Sequence, residues 1–578
     1  MEKLKLPIKQ FTLADLLLLM LIAGVILSLA TIARQWQATQ VTTSDIQLSA
    51  WLLPKYTLFS VFRAMLSFAI SLAFTFVIGF VAAKSTTAEK ILIPLLDILQ
   101  SIPVLGFMPG LVIGLSALFP TSNIGLELTC VLMIFTGQAW NMAFSFYNSL
   151  KTLPVEYSEA AQMIGFSWWE KLKRIELPFS AVGLSWNCVL SMAGGWFFLT
   201  TCEAFNLGST HFRLPGLGAY MATAIEQDNN LAMFFGIATM IGIILGMDFL
   251  MWRPLLAWVQ RFRTDEIYGE TQEEPLSPVM ELVIRDSKLI RFLRRVVKKI
   301  RFKKKTKEAI QEVFGIPRLV KKIDLGHPKS RKAASIVTIV VLCIIAVVGT
   351  IKMIQFVVGI PWIIWLEIFK KTFTTFLRVM ASIVLSSLWV VPLGIWIGLS
   401  AKRVRIAQPI LQVLASFPTP MLYPLMLAIL FKIGFVIDTS SIFLMALGIQ
   451  WYILFNVIAG AVKIPRELND SLSLIDASKW DRMKYLYLPS IFPALVTGWV
   501  TAAGGAWNAS IVAEYVLYKN QIHQADGIGA FITAATESQN FQLLAASLFV
   551  MILAVIGLNR FFWARIYHLS QTRFRVET

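Results

Sequence analysis

Gln100-Ser-Ile-Pro103-Val-Leu-Gly-Phe-Met-Pro109 and Ala415-Ser-Phe-Pro418-Thr-Pro-Met-Leu-Tyr-Pro424 stand 315 positions apart and share one proline frame. The same interval separates Arg63 from Arg378, Gly79 from Gly394 and Pro94 from Pro409, without a gap. Farther along, Trp140, Pro154, Pro178, Trp196, Glu203, Gly216, Gly218 and Glu226 recur as Trp451, Pro465, Pro489, Trp507, Glu514, Gly527, Gly529 and Glu537. That second set is offset by 311, so a loop between residues 109 and 140 is four residues shorter in the second copy. The chain contains itself twice. In an apolar chain this self-similarity is typical of membrane transporters, where two related bundles enclose one path.

The apolar character is plain. Of 578 residues, 57% are hydrophobic and 15% charged, with a mean hydropathy of +0.68; soluble domains average about 25% charged residues. Runs near the roughly 20 residues that cross a bilayer predict spans at 12–34, 59–83, 91–119, 124–150, 179–203 and 231–252. The second copy gives 334–357, 372–400, 406–432, 438–462, 490–515 and 541–563. The expectation is an all-α polytopic membrane protein of two homologous six-helix bundles with 12 transmembrane helices. Its parts are a first repeat at 1–252, a linker at 253–333 and a second repeat at 334–578. Lys3, Lys5 and Lys9, Lys84 and Lys90, Lys151, Lys171, Lys173 and Arg174, and Arg565, Arg573 and Arg575 fall on one side of such a chain. The positive-inside rule then places both termini in the cytoplasm. The first span is read as retained, since its apolar core exceeds a signal-peptide h-region and no A-x-A site precedes Arg34.

The linker carries 21 Lys and Arg against 10 Asp and Glu. Basic residues from Arg285 to Lys307 interleave with Leu289, Phe292, Leu293, Val296, Val297 and Ile300, the spacing of an amphipathic helix. Three readings are open: a tether on anionic lipid at 285–307, a regulatory or partner-docking segment, and nucleic-acid binding. No recognition fold surrounds it, which disfavours the last. Cys130, Cys188, Cys202 and Cys343 lack metal-ligand spacing and read as packing residues. No phosphate loop, H-E-x-x-H, Cys-x-x-Cys or G-x-S-x-G is present. No catalytic or metal-ligating set is expected, and no ATP hydrolysis by this chain.

Each half has a polar helical interruption instead. After Pro154 comes Val-Glu156-Tyr-Ser-Glu159-Ala160-Ala161, then Gly165, then Ile175-Glu176-Leu177-Pro178. Glu-Ala-Ala, three residues, Gly, nine residues and Ile-x-Leu-Pro resembles the EAA loop of ATP-binding-cassette (ABC) importer permeases. Small residues there would let a partner helix approach closely, and the carboxylate could satisfy a helix N-terminus. The second copy, at 465–489, departs: Asp470, Ser471 and Leu472 replace Glu159, Ala160 and Ala161, and Asp476 replaces Gly165. The proline-framed stretches quoted above, with Cys202-Glu203…Gly216-Leu-Gly218 and Ala513-Glu514…Gly527-Ile-Gly529, look closest to the nitrate/sulfonate/taurine branch of that family.

The resemblance implies a type I importer permease with a MetI-like fold, in a bacterial cytoplasmic (inner) membrane. It implies coupling loops at 154–178 and 465–489 that dock on two separate ATPase subunits, identical or different. ATP and Mg would lie on those subunits, no cofactor on this chain. A periplasmic or lipid-anchored solute-binding protein would deliver a small solute, with nitrate-, sulfonate- or taurine-like anions as examples. The diverged second loop leads us to expect unequal contacts with the two ATPases. An ion-gradient transporter using Glu203 and Glu514, or a regulatory permease-like protein, are the alternatives.

Path or gate candidates are Pro103, Pro109, Trp196 and Glu203 with their counterparts Pro418, Pro424, Trp507 and Glu514. Each has a plainer reading. The glutamates could fix the Gly-x-Gly re-entry by accepting backbone hydrogen bonds, a role that two copies of a carboxylate favour in an anion path. The prolines could be packing kinks, and the tryptophans, beside Gly194-Gly195 and Gly505-Ala506, interior packing residues.

Overall fold

The computed structural model describes residues 27–38, 46–262 and 355–573, apart from isolated positions (29, 208, 209 and 475), together with 348, 351 and 352. Most of the expected spans at 12–34 and 334–357, the basic stretch 285–307 and Cys343 lie outside the described residues. The described residues of 35–248 and 359–578 form one compact unit, and those of 27–34 and 249–358 belong to another. Both copies therefore contribute to the first unit, which contains everything discussed below.

In the first copy α1 (Leu53–Lys84) is followed by α2 (Thr86–Ser101), α3 (Met108–Leu118), α4 (Ile124–Lys151), α5 (Val155–Met163) and α6 (Leu177–Cys202). A hairpin of β1 (Ala204–Leu207) and β2 (Thr210–Arg213) then leads to α7 (Leu217–Glu226) and α8 (Asn230–Met247). The second copy repeats the order. It consists of α9 (Trp362–Gly398), α10 (Ala401–Ser416), α11 (Tyr423–Ile433), α12 (Ile437–Val462), α13 (Arg466–Leu474) and α14 (Leu488–Ala513). Then come β3 (Tyr515–Tyr518), β4 (Gln521–Gln524), α15 (Ile528–Glu537) and α16 (Phe541–Gly557). The fold is all-α apart from these two antiparallel hairpins, which correspond residue for residue: Ala204 pairs with Arg213, and Tyr515 with Gln524.

Among the described residues seven helices are long and apolar enough to cross a membrane, or eight if the bent pair α10–α11 counts as one. Twelve is thus not reached within them. Helix α4 is 28 residues long yet is not one of the seven. Its place explains its polarity. It packs against α1 on one side and α6 on the other, so Glu127 and Gln138 are enclosed by protein and need not face lipid.

The third expected span is broken in both copies, and the break has one cause. Pro103 and Pro418 have no N–H and drive the preceding residue out of the helical region, so Ile102 and Phe417 are extended (ψ 124° and 127°). The bend between the two pieces in the second copy is 80°. A single 3₁₀ turn follows each, closed by Gly106 N to Pro103 O (3.2 Å) and Met421 N to Pro418 O (3.1 Å). Pro109 and Pro424 were expected to break the span as well; they instead occupy the first turn of α3 and α11, where a missing N–H leaves no bond unmade.

The four-residue shortening falls where the third and fourth expected spans meet. The link has five residues in the first copy (Phe119–Asn123) and three in the second (Gly434–Val436), and α12 has 26 residues against 28 in α4; Gly434 adopts φ +100°. A left-handed C-terminal residue turns the chain at once, and glycine takes it without strain.

Candidate functional site

A buried ionic clamp sits in each copy. Arg63, on α1, donates from Nε and Nη2 to both carboxylate oxygens of Glu127 (2.6 and 2.7 Å). Its Nη1 donates to Glu203 Oε1 (2.7 Å) and to the Pro215 carbonyl (2.9 Å). Ser60 Oγ donates to the same Glu203 oxygen (2.7 Å) while accepting from Leu217 N (2.9 Å). Gly218 N donates to the other Glu203 oxygen at 2.7 Å. The second copy substitutes conservatively and keeps the network. Arg378 pairs with Asp438 and with Glu514 (3.1 Å) and donates to the Asp526 carbonyl (3.1 Å). Thr375 Oγ1 replaces the serine, donating to Glu514 (2.7 Å) and accepting from Ile528 N (2.9 Å), and Gly529 N reaches Glu514 at 2.8 Å.

This geometry accounts for the Gly-x-Gly spacing. A Cβ on Gly216 would lie 2.3 Å from the Glu203 carboxyl carbon, and one on Gly527 2.2 Å from Glu514 Oε2. Glu203 and Glu514 are both wholly buried. Each ties the end of a long helix to the start of the next, at a position where its charge is answered by Arg63 or Arg378.

The two loops after α4 and α12 expose large apolar side chains at matched positions. In the first, Met163 is 90% exposed, and Tyr157, Ile164, Trp168 and Trp169 are exposed too; in the second, Leu474 is 87% exposed, with Leu468 and Trp480 also open. Tyr157, Met163 and Trp169 correspond to Leu468, Leu474 and Trp480 at the 311 interval. Glu159 and Ala160 are exposed on α5, and Ala161 is buried. Glu159 lies in the middle of α5, so the carboxylate in the first helical turn is Glu156, a correction to the expected N-terminal role of Glu159. Asp470, Ser471 and Leu472 occupy the same places on α13.

Gly165 is open to its surroundings: a Cβ there would meet nothing within 4 Å in this chain. Its backbone is what requires glycine: φ is +75°, and Phe166 N bonds Ala161 O at 2.9 Å across the turn, the helix-ending motif with a left-handed residue. Asp476 takes the same conformation (φ +50°), with Ala477 N bonded to Leu472 O at 3.0 Å. Aspartate tolerates this region better than most residues. Gly165→Asp is therefore expected to leave the melting temperature of the purified protein nearly unchanged. Gly165→Val, β-branched in the left-handed region, is expected to destabilise the turn by about 1–2 kcal/mol, read as lowered melting and faster proteolysis at 163–168.

Between the copies lies a cavity of about 280 Å³. It is bordered by both broken spans, through Gln100 and Val104 of one copy and Phe417 and Thr419 of the other. Gly194 and Gly505 bring α6 and α14 to its wall, and Trp140 and Trp451, counterparts in the repeat, both line it. Val104 N donates to Asn508 Oδ1 at 2.7 Å, a hydrogen bond between the copies at the cavity's edge. Among the described residues no Asp, Glu, Lys, Arg or His lines it.

The expected path residues fall around this space rather than in it. Trp196 and Trp507 are buried and do not line the cavity, and Glu203 and Glu514 belong to the clamps. Pro103 and Pro418 adjoin lining residues without contributing themselves, and Pro109 and Pro424 begin helices beyond them. The lining residues Asn141, Tyr452, Phe197 and Asn508 escaped sequence reading. Among the described residues no three His, Cys, Asp or Glu form a group able to hold a metal ion, and Cys130, Cys188 and Cys202 are buried free thiols.

The family described as "binding-protein-dependent transport system inner membrane component" matches residues 75–252 and, a second time, 390–575. The chain belongs to that family. The two matches are the two copies, so this member of the transport-component family carries its domain in duplicate. It is 28% identical over 180 residues to the nitrate import permease protein NrtB of Leptolyngbya laminosa, covering 31% of this chain and 61% of that relative. It is 26% identical over 184 residues to the taurine transport system permease protein TauC of Escherichia coli K12, covering 32% and 66%. To the bicarbonate transport system permease protein CmpB of Synechococcus elongatus it is 26% identical over 174 residues, covering 30% and 59%. The matched stretches thus span less than two thirds of these relatives' lengths.

Proposed function

We propose that this chain is the transmembrane permease subunit of an ATP-driven ABC importer, with both halves of the translocation path fused in one polypeptide. The observation that carries the proposal is the pair of exposed apolar loops at 154–178 and 465–489. An aromatic belt at the membrane interface would account for Trp169 and Trp480 alone, but not for Met163 and Leu474 beside them, almost fully exposed, which a protein partner would desolvate. On this reading each loop seats on one ATPase subunit; ATP with Mg belongs to those subunits, and this chain has no ATPase site of its own. A solute-binding protein, periplasmic or lipid-anchored, presents the solute on the opposite side. The chain sits in the bacterial cytoplasmic membrane with both termini in the cytoplasm, as the distribution of Lys and Arg supports. The basic linker stretch at 285–307 rests on anionic lipid.

An ion-gradient mechanism is less well supported. It would need a titratable carboxylate open to the path, whereas Glu203 and Glu514 are engaged by arginine and no carboxylate lines the cavity among the described residues.

The test is a mild-detergent pull-down of the tagged chain from its native membranes, scored for a co-purifying ATPase and ATP turnover. Met163→Asp with Trp169→Asp is expected to lower ATPase recovery at least tenfold. Leu474→Asp with Trp480→Asp is expected to lower it less, because Lys479 stands in the second loop where the first exposes Trp168. Recovery of no nucleotide-hydrolysing subunit with the unaltered chain would overturn the proposal.

A further inference from the structure

The copies agree in their clamps and disagree in their cavity. Position by position, the α6 face presents Phe197 and Phe198 where the α14 face presents Asn508 and Ala509, and Leu190 stands where α14 has Thr501. Across the next pair of helices Asn141 of α4 is matched by Tyr452 of α12. The α6 face is therefore apolar and aromatic where the α14 face carries an amide and a hydroxyl, while between α4 and α12 the difference runs the other way, the amide of Asn141 standing where the second copy has Tyr452. Trp140 and Trp451, common to both copies, add two further ring systems.

We propose that the solute admitted to this cavity is a small organic molecule with a flat, ring-bearing apolar face and a hydrogen-bonding edge, rather than an inorganic oxyanion. The proposal rests on the permease reading above. An ion such as nitrate would have to shed water in a cavity that no cationic side chain lines among the described residues, a costly transfer without compensating charge. A ring would stack on Phe197, Trp140 and Trp451, and its polar edge would meet Asn508, Thr501 and Asn141. Neutral groups of these kinds fix orientation in apolar ligand sites generally. The size fits: about 280 Å³ is nearly twice the roughly 150 Å³ apolar cavity that holds one benzene, so a single substituted ring has room.

The experiment uses the complex purified with its ATPase in lipid nanodiscs. Benzamide, taurine and nitrate are titrated separately while tryptophan fluorescence and ATP turnover are followed. Benzamide is expected to give a saturable change in fluorescence, with taurine and nitrate giving none over the same range. Phe197→Asn, which gives α6 the residue α14 has at that position, is expected to weaken the benzamide response at least tenfold. Thr501→Val, nearly isosteric, is expected to weaken it at least threefold, so a folding defect in the first variant does not remove the test. A response to taurine or nitrate without one to benzamide, or a benzamide response unaltered by both variants, would overturn the proposal. Basal ATP turnover by the attached subunit separates the two failures: with it present, only the solute class is wrong; with no ATPase attached, the permease reading itself is wrong.

Discussion

Arg63→Met should eliminate the folded protein, while Arg378→Met should leave a folded protein of lower stability. The difference follows from burial. Arg63 is enclosed with two glutamates that are both wholly buried. Removing it strands two carboxylates that make charge-assisted bonds to nothing else of opposite sign, and breaking one such buried pair typically costs about 3–5 kcal/mol. In the second copy Asp438 is 48% exposed and can recover water, leaving only Glu514 stranded. The measurement is size-exclusion profile and thermal melting of fluorescently tagged variants in detergent. Adding Glu127→Gln and Glu203→Gln to Arg63→Met should restore a monodisperse peak, because a neutral network of similar shape avoids the unpaired charge. Equal loss in both copies, or no recovery in the triple variant, would contradict this account of the clamps.

The second large effect belongs to Gly218 and Gly529. A Cβ on Gly218 would sit 2.5 Å from the Thr200 carbonyl oxygen and 2.8 Å from its Cα; on Gly529 it would sit 2.4 Å from the Ser510 carbonyl oxygen. Backbone cannot swing aside as a side-chain tip can. The alanine must push α7 away from α6, or α15 from α14, and the displaced N–H is the one that holds Glu203 or Glu514. Overpacking of this kind costs about 1–3 kcal/mol, to which loss of a buried charge-assisted bond is added. Gly218→Ala and Gly529→Ala should therefore lower melting by similar amounts, unlike the two arginine variants. A wild-type melting curve for either would show that these helices have slack at the contact.

The repeat was readable because identity between copies is a strong signal, and identity is what the clamps conserve: Arg63 with Arg378, Glu203 with Glu514, and the paired glycines. The third member of each clamp was hidden. Glu127 and Asp438 differ in type, and they lie just past the four-residue shift, where the 315 interval gives way to 311. The hairpins were hidden for another reason, since four-residue strands such as Ala204–Leu207 offer too few alternations to reveal a period of two. The cavity was hardest of all. A comparison of copies passes over Phe197 against Asn508, yet that mismatch is what shapes the space between them. Skeleton follows sameness here, and the site follows difference.

The clamps also set how force can travel. α6 is a rod of 26 residues, about 39 Å long at 1.5 Å per residue. An exposed loop lies at its start, a cavity-lining glycine at 194 and an anchored glutamate just past its end. Such a rod is a lever with its fulcrum at Glu203, and α14 mirrors it on Glu514. Movement imposed at Leu177 would reach Gly194 reduced to roughly a third, by the proportion of residues on either side. A large stroke imposed at the loop would thus arrive as a fine adjustment of the cavity wall.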